Sequence, residues 1–136
     1  MNDRPNDLKR IRPEIPRARI TDGMSTGEHF QNETLRPIAK LQNPLLLAMF
    51  RNYIAKHKNV FYDLSIEKRL TYIENAIQKD MKFRNSVKGV LIGMFTVEEY
   101  ELYIQDSSAL NKRMMNIVKE RLINQVQLLE IPIKIS

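Results

Sequence analysis

The chain offers few side chains able to make or break bonds. Its 136 residues contain two histidines, His29 and His57, and no cysteine. No His-x-x-x-His or Glu-x-x-His pair sets two ligands on one helix face, so no metal site is assigned. Without cysteine there is no disulfide framework, iron–sulfur cluster, thiol nucleophile or Cys-based zinc site. Gly23-Met24-Ser25-Thr26-Gly27 matches the Gly-x-Ser-x-Gly pattern of a nucleophile elbow. That chemistry needs a strand before the serine and a sheet to carry its acid and histidine. A proline-rich basic segment precedes it instead, and Ser25 reads as a helix cap. Glu98, Glu99 and Glu101 cluster at the start of a predicted helix, where they read as complement to the helix dipole ahead of an acid–base pair. Gly89 and Gly93, with Ser86 on the same side, form a small-residue strip that predicts close helix packing, with a ligand crevice as the second reading. No catalytic residue and no cofactor are assigned.

Positive charge is the stronger signal. A net charge of +6 and an isoelectric point near 9.7 point to an anionic partner, nucleic acid or acidic protein, or, as the plainer alternative, to charge that only aids solubility. The cations fall into patches. Lys9, Arg10, Arg12, Arg17 and Arg19 face a single acid, Glu14, between Leu8 and Ile20, among Pro5, Pro13 and Pro16. The prolines predict an extended, flexible basic arm over residues 1–24, able to follow a phosphate backbone. Lys112, Arg113 and Lys119, with Asn116, lie on the exposed side of the last predicted helix, and Lys79, Lys82, Arg84 and Lys88 surround the start of an earlier one. No helix-turn-helix glycine turn or aromatic-basic RNA-binding signature accompanies them.

The last helix also holds an anomaly. With Leu110 at zero and 100° per residue, its apolar residues fill an arc from about −20° to 160°, and Arg121 at about 20° and Gln125 at about 60° fall inside it. An arginine aimed into an apolar face calls for a carboxylate, a set of carbonyls or an anionic ligand. Two readings follow: a buried ion pair, with Glu74 or Asp63 as partner, or a buried polar or anion site formed by Arg121 and Gln125.

Helix signals recur at short intervals from Ser25 onward and supply the frame for these groups. Ser25 with Glu28 opens a helix carrying Phe30, Leu35, Ile38 and Leu41, interrupted or kinked at Pro37. Asn43 and Pro44 form an N-cap and first-turn pair for a second helix. Ser65 caps a third, with Ile66, Leu70, Ile73 and Ile77 in one narrow stripe. A fourth, near Met81 to Phe95, is apolar over more than half its circumference and should be largely buried. Thr96 with Glu99 is a capping box for a short fifth. Ser107 or Ser108 caps a long sixth helix that runs to about Glu130 and braces the bundle. Ile131, Ile133 and Ile135 alternate in an extended tail, which offers a route to oligomerisation or strand addition. Hairpin signals are missing, no repeat of solenoid length occurs, and no apolar run approaches the ~18 residues of a membrane span. The opening residues lack the apolar core of a secretory signal. A cytoplasmic protein with no membrane partner is expected.

The stretches from Phe30 to Ile38, Glu67 to Asp80 and Ala109 to Leu122 resemble small uncharacterised bacterial helical proteins that often bear a glyoxalase label, over roughly residues 25–130. The resemblance implies an enzyme of glyoxalase or other lyase type. Metal glyoxalases look like paired βαβββ modules with His, Glu or Gln ligands on strands, a pattern this chain does not carry, so no catalytic residue is transferred. The residues themselves predict an all-α fold: a basic arm over 1–24, a bundle of five or six helices over 25–130 and a tail over 131–136. The expected function is a non-catalytic helical interaction or adaptor module that engages nucleic acid, a ribonucleoprotein or a protein through its basic surfaces.

Overall fold

The structure is a computed structural model that describes residues 3–15 and 20–130, and all regular secondary structure in them is helical. The elements are α1 (Arg4–Arg10), α2 (Thr26–Phe30), a π turn (Gln31–Leu35), α3 (Arg36–Leu41), α4 (Asn43–Lys56), α5 (Ile66–Gln78), α6 (Met81–Ile92), α7 (Val97–Tyr103) and α8 (Ser107–Asn124). Short 3₁₀ turns cover Val60–Asp63 and Val126–Leu129. The all-α expectation holds. The tail over 131–136, with its alternating isoleucines, lies outside the described residues.

Local chemistry explains most boundaries. Ser25, Ser65, Asp80 and Thr96 each accept a hydrogen bond from the backbone N–H three residues on, satisfying an otherwise orphaned donor at the start of α2, α5, α6 and α7. At Thr96 the box is complete, because the Glu99 carboxylate also accepts the Thr96 N–H at 2.8 Å. Pro37 lies in the first turn of α3, directly after the π turn. Its missing N–H breaks the α-helical ladder, and the wider π turn carries the chain through as one bent rod from α2 to α3.

α8 is the central element, packing on α5, α6, the π turn, α3 and α4. It buries Leu110, Met114, Met115, Ile117, Val118 and Leu122. The helix stops at Asn124 rather than near Glu130, and the following 3₁₀ turn changes the angular phase. Leu129 therefore points inward while Leu128 is 55% exposed. One end of the core is a ring cluster around Phe50, with Tyr53 stacked on it and Phe61, Tyr72 and Phe83 against its edges. The other end joins Phe95 edge-on to Phe30 and Tyr103.

Several expectations need correction, among them the cap of α8, where Asp106 precedes Ser107 and no side chain caps the helix. α6 is not largely buried. It presents Phe83, Val87 and Leu91 inward and leaves Gly89 facing open space, so no neighbouring element packs closely on Gly89, and of the small-residue strip Ser86 lines a cavity. Asn43 does not cap α4, since its side chain crosses to α8. The arm is not extended throughout. Residues Arg4–Arg10 are helical because Pro5 falls in the first turn, where its missing N–H has no partner to lose, and Arg10 pairs with Asp7 at 2.8 Å. Arg4 then reaches the Gly93 carbonyl at 3.2 Å, docking α1 on the bundle.

Candidate anion-binding groove

Two adjoining cavities of about 330 and 420 Å³ form a groove between the π turn with α3 and the outer face of α8. They share Arg36, Ile117 and Glu120. The arm's Ile15 with Arg121, Asn124 and Gln125 completes the first, and Gln31, Lys112, Arg113 and Asn116 line the second. Three arginines and a lysine thus converge on one groove from both walls, with exposed Glu120 between them.

Each arginine is held by a neutral amide. The Arg36 Nε–H donates to Asn32 Oδ1 at 3.3 Å, one turn earlier on the bent rod. Arg113 donates to Gln31 Oε1 at 2.8 Å and lies over Gly27, where a Cβ would come within 3.0 Å of its Nε. The absence of a Cβ at Gly27 thus leaves the Arg113 guanidinium room to lie against the first turn of α2. Arg121 donates to Asn43 Oδ1 at 3.4 Å. The same Oδ1 takes Gln125 Nε2 at 2.7 Å, and Asn43 Nδ2 returns a bond to Gln125 Oε1 at 2.7 Å, a reciprocal amide pair that ties α4 to the end of α8. Among the described residues, none of Arg36, Lys112, Arg113, Lys119 and Arg121 is in an ion pair. Burial lowers the Arg121 pKa from its ordinary value, and the neighbouring charge of Arg36 lowers it further.

The buried ion pair expected at Arg121 is thus not found. Arg121 is half-buried, and both candidate carboxylates, Glu74 on α5 and Asp63 in the 3₁₀ turn, are exposed elsewhere. The wheel angle gave the direction of the side chain but not the neighbouring element, which at this height is the amide-bearing start of α4. Lys119 lines neither cavity, so the patch read as Lys112, Arg113 and Lys119 divides between two sides of α8.

The arm divides as well. Arg12 makes a bidentate pair with Glu99 at 2.6 and 2.7 Å and donates to the Met94 carbonyl at 3.0 Å. Its side chain is 8% exposed and that of Glu99 9%. Thr34 Oγ1, from the π turn, donates to the same carboxylate at 2.7 Å. Burial pushes the Glu99 pKa up, but the bonds from Arg12, the Thr96 N–H and Thr34 and the charge of Arg12 outweigh it and hold the group at about 2. Arg12 is therefore no docking residue, and Glu99 is more than dipole complement. Lys9 and Arg10 stay exposed on α1, and Arg17 and Arg19 lie outside the described residues.

Sequence reasoning missed one further polar cluster. Tyr53 donates its hydroxyl to Asp80 at 3.0 Å, and His57 stacks on Tyr53 with ring centroids 4.1 Å apart, beside a cavity of about 350 Å³. Burial, then the Asp80 bond and charge, push the Tyr53 hydroxyl up to about 12. Asp80 is held below its ordinary value by the Phe83 N–H and then by Tyr53. His29 stands apart, paired with Glu33 at 3.0 Å, so the two histidines share no site. Among the described residues no group of three or more His, Asp or Glu side chains could hold a metal ion, and no helix is long and apolar enough to cross a membrane.

Comparison of the chain with protein-family models, curated proteins and solved structures finds no match.

Proposed function

We propose that the protein is a non-catalytic helical interaction module that binds an anionic partner, nucleic acid in particular, along the groove between α3 and α8. The observation that carries this reading is the convergence of Arg36, Lys112, Arg113 and Arg121 on one groove, the three arginines with amide rather than carboxylate partners. Guanidinium groups held by neutral acceptors keep their charge and most of their donors for an incoming phosphate. Lys9 and Arg10, exposed on α1, and Arg17 and Arg19 are further candidate binding residues, with Arg12 excluded. Supporting the non-catalytic reading, the strongly shifted groups, Glu99 near 2 and Tyr53 near 12, are driven away from neutrality, where proton exchange is easiest.

The test is titration of labelled single-stranded RNA and duplex DNA with the full chain and with an Arg36→Gln, Arg113→Gln variant at two salt concentrations. For every phosphate that the variant no longer neutralises, the log-log salt slope should flatten by about 0.7 on single strands and about 0.9 on duplex. Unchanged affinity and slope in the variant, or no binding by the parent chain, would overturn the groove as a nucleic-acid interface.

A further inference from the structure

At the Gln125 end of the groove the charges are arranged unlike a structural arginine site. Arg36 and Arg121 line the same cavity of about 330 Å³, both partly withdrawn from water, and both are cations. Like charges drawn toward each other in a partly desolvated pocket repel, so a structure gains nothing from the pair alone. Their protein hydrogen bonds are weak, one of 3.3 Å for Arg36 and one of 3.4 Å for Arg121. Asn43 cannot move closer to Arg121, because its Oδ1 and Nδ2 are fixed by the two 2.7 Å bonds to Gln125. Glu120 lines the cavity and is exposed, forming no ion pair with either arginine. With Glu120 counted, the pocket keeps one net positive charge.

We propose that Arg36 and Arg121 together bind one phosphate-type oxyanion, held between their guanidinium forks in the cavity bounded by Ile15, Ile117 and Gln125. A tetrahedral oxyanion gives each planar fork its own pair of acceptor oxygens and removes the repulsion between them. The Asn43–Gln125 amide pair keeps the pocket open by fixing α4 against the end of α8. This deepens the groove reading, on which it rests, by naming the groove's chemically distinct end. The phosphate comes either from a nucleic-acid chain or from a free ion.

The protein tests this through its own stability, because an anion that binds the folded state raises the unfolding midpoint. Full-length chain is melted in chloride and in phosphate at matched ionic strength and pH 7. Phosphate should raise the parent midpoint saturably. Arg36→Gln and Arg121→Gln should each abolish that rise, and in chloride each should melt at or above the parent, since one of two repelling charges is gone. Arg113→Gln, in the neighbouring cavity, should keep the phosphate response. A parent with no saturable response, or an Arg121→Gln chain that is weakened in chloride yet still answers to phosphate, overturns the site; Arg36→Gln gives a second reading should Arg121→Gln fold poorly. Competition by oligonucleotides separates the two sources. If an oligonucleotide displaces phosphate, the site serves the nucleic-acid groove. If phosphate binds and no oligonucleotide competes, the oxyanion site stands as a free-ion site and the nucleic-acid reading of this end of the groove falls.

Discussion

Arg12 and Arg121 are both arginines drawn out of solvent against the helical bundle, and their surroundings are opposite. Arg12 meets a carboxylate through two short bonds, and that carboxylate is itself saturated by Thr34 and by the first turn of α7. Arg121 meets a neutral amide at 3.4 Å and faces a second arginine. The first arrangement is closed in charge, since the carboxylate answers the guanidinium within the chain, with only the buried Arg12 Nε lacking an acceptor among the described residues. The second is open, since its charge is answered by nothing the described residues contain. Sequence alone placed Arg12 in a free basic arm and left Arg121 between two readings, a buried ion pair and a polar or anion site. Whether an arginine is structural or receptive is decided by the acceptors brought to it, not by the polarity of its neighbours in the chain.

The contrast breaks first at the closed site. Arg12→Ala should cost about 3–5 kcal/mol, because it strands the Glu99 charge in a buried position. Urea unfolding measures the loss, and adding Glu99→Gln should recover part of it by removing the stranded charge. A loss under ~1 kcal/mol would mean that the arm is not anchored by this pair.

Acid is the next lever. Glu99 has a folded pKa of about 2 against an ordinary 4.5, so its contribution is complete above about pH 4.5 and is lost as pH falls through about 2. The difference corresponds to about 3 kcal/mol. Stability curves measured from pH 6 to pH 2 should fall more steeply for the parent than for Glu99→Gln, and parallel curves would contradict the depressed pKa. Arg121→Gln should leave this dependence intact, because the open site contains no depressed carboxylate.

The smallest effect is expected at the frame of the open site. Asn43→Ala removes the amide pair with Gln125 and the acceptor of Arg121, at a cost of about 1–2 kcal/mol. Thermal unfolding should show that loss while the response to phosphate weakens without vanishing, since both guanidinium groups remain.

The fold was more legible than the site. Ile73 and Ile77 of the α5 stripe are fully buried as the periodicity predicts, whereas Ile66, at the first position of α5, is 56% exposed. Caps at Ser25, Ser65 and Thr96 could be read because their chemistry is local, acting over three residues. Arg12 and Glu99 are 87 positions apart, and no local rule links them; the one available hint was the capping box, which fixes the glutamate's direction but not its partner. Arg36 has no local signature, since its neighbour Pro37 marks only a helix break and nothing nearby in sequence places its side chain in a groove along α8. Asn43 misled by matching the N-cap preference while its amide crosses to Gln125, a choice made by tertiary packing over local propensity.

The π turn at Gln31–Leu35 carries a further consequence. Such a turn amounts to one residue spliced into an α-helix, and one residue is worth about 100° of rotation about the axis. The splice acts as a phase setting between the two ends of the rod. With it, Thr34 reaches Glu99 on one side while Arg36 lines the cavity along α8 on another. Deleting a single residue from that turn would remove the splice and swing one of the two out of place by roughly a quarter of a revolution. The closed and open sites are thus clocked to each other by one inserted position, and a chain lacking it could keep the anchor or the groove but not both.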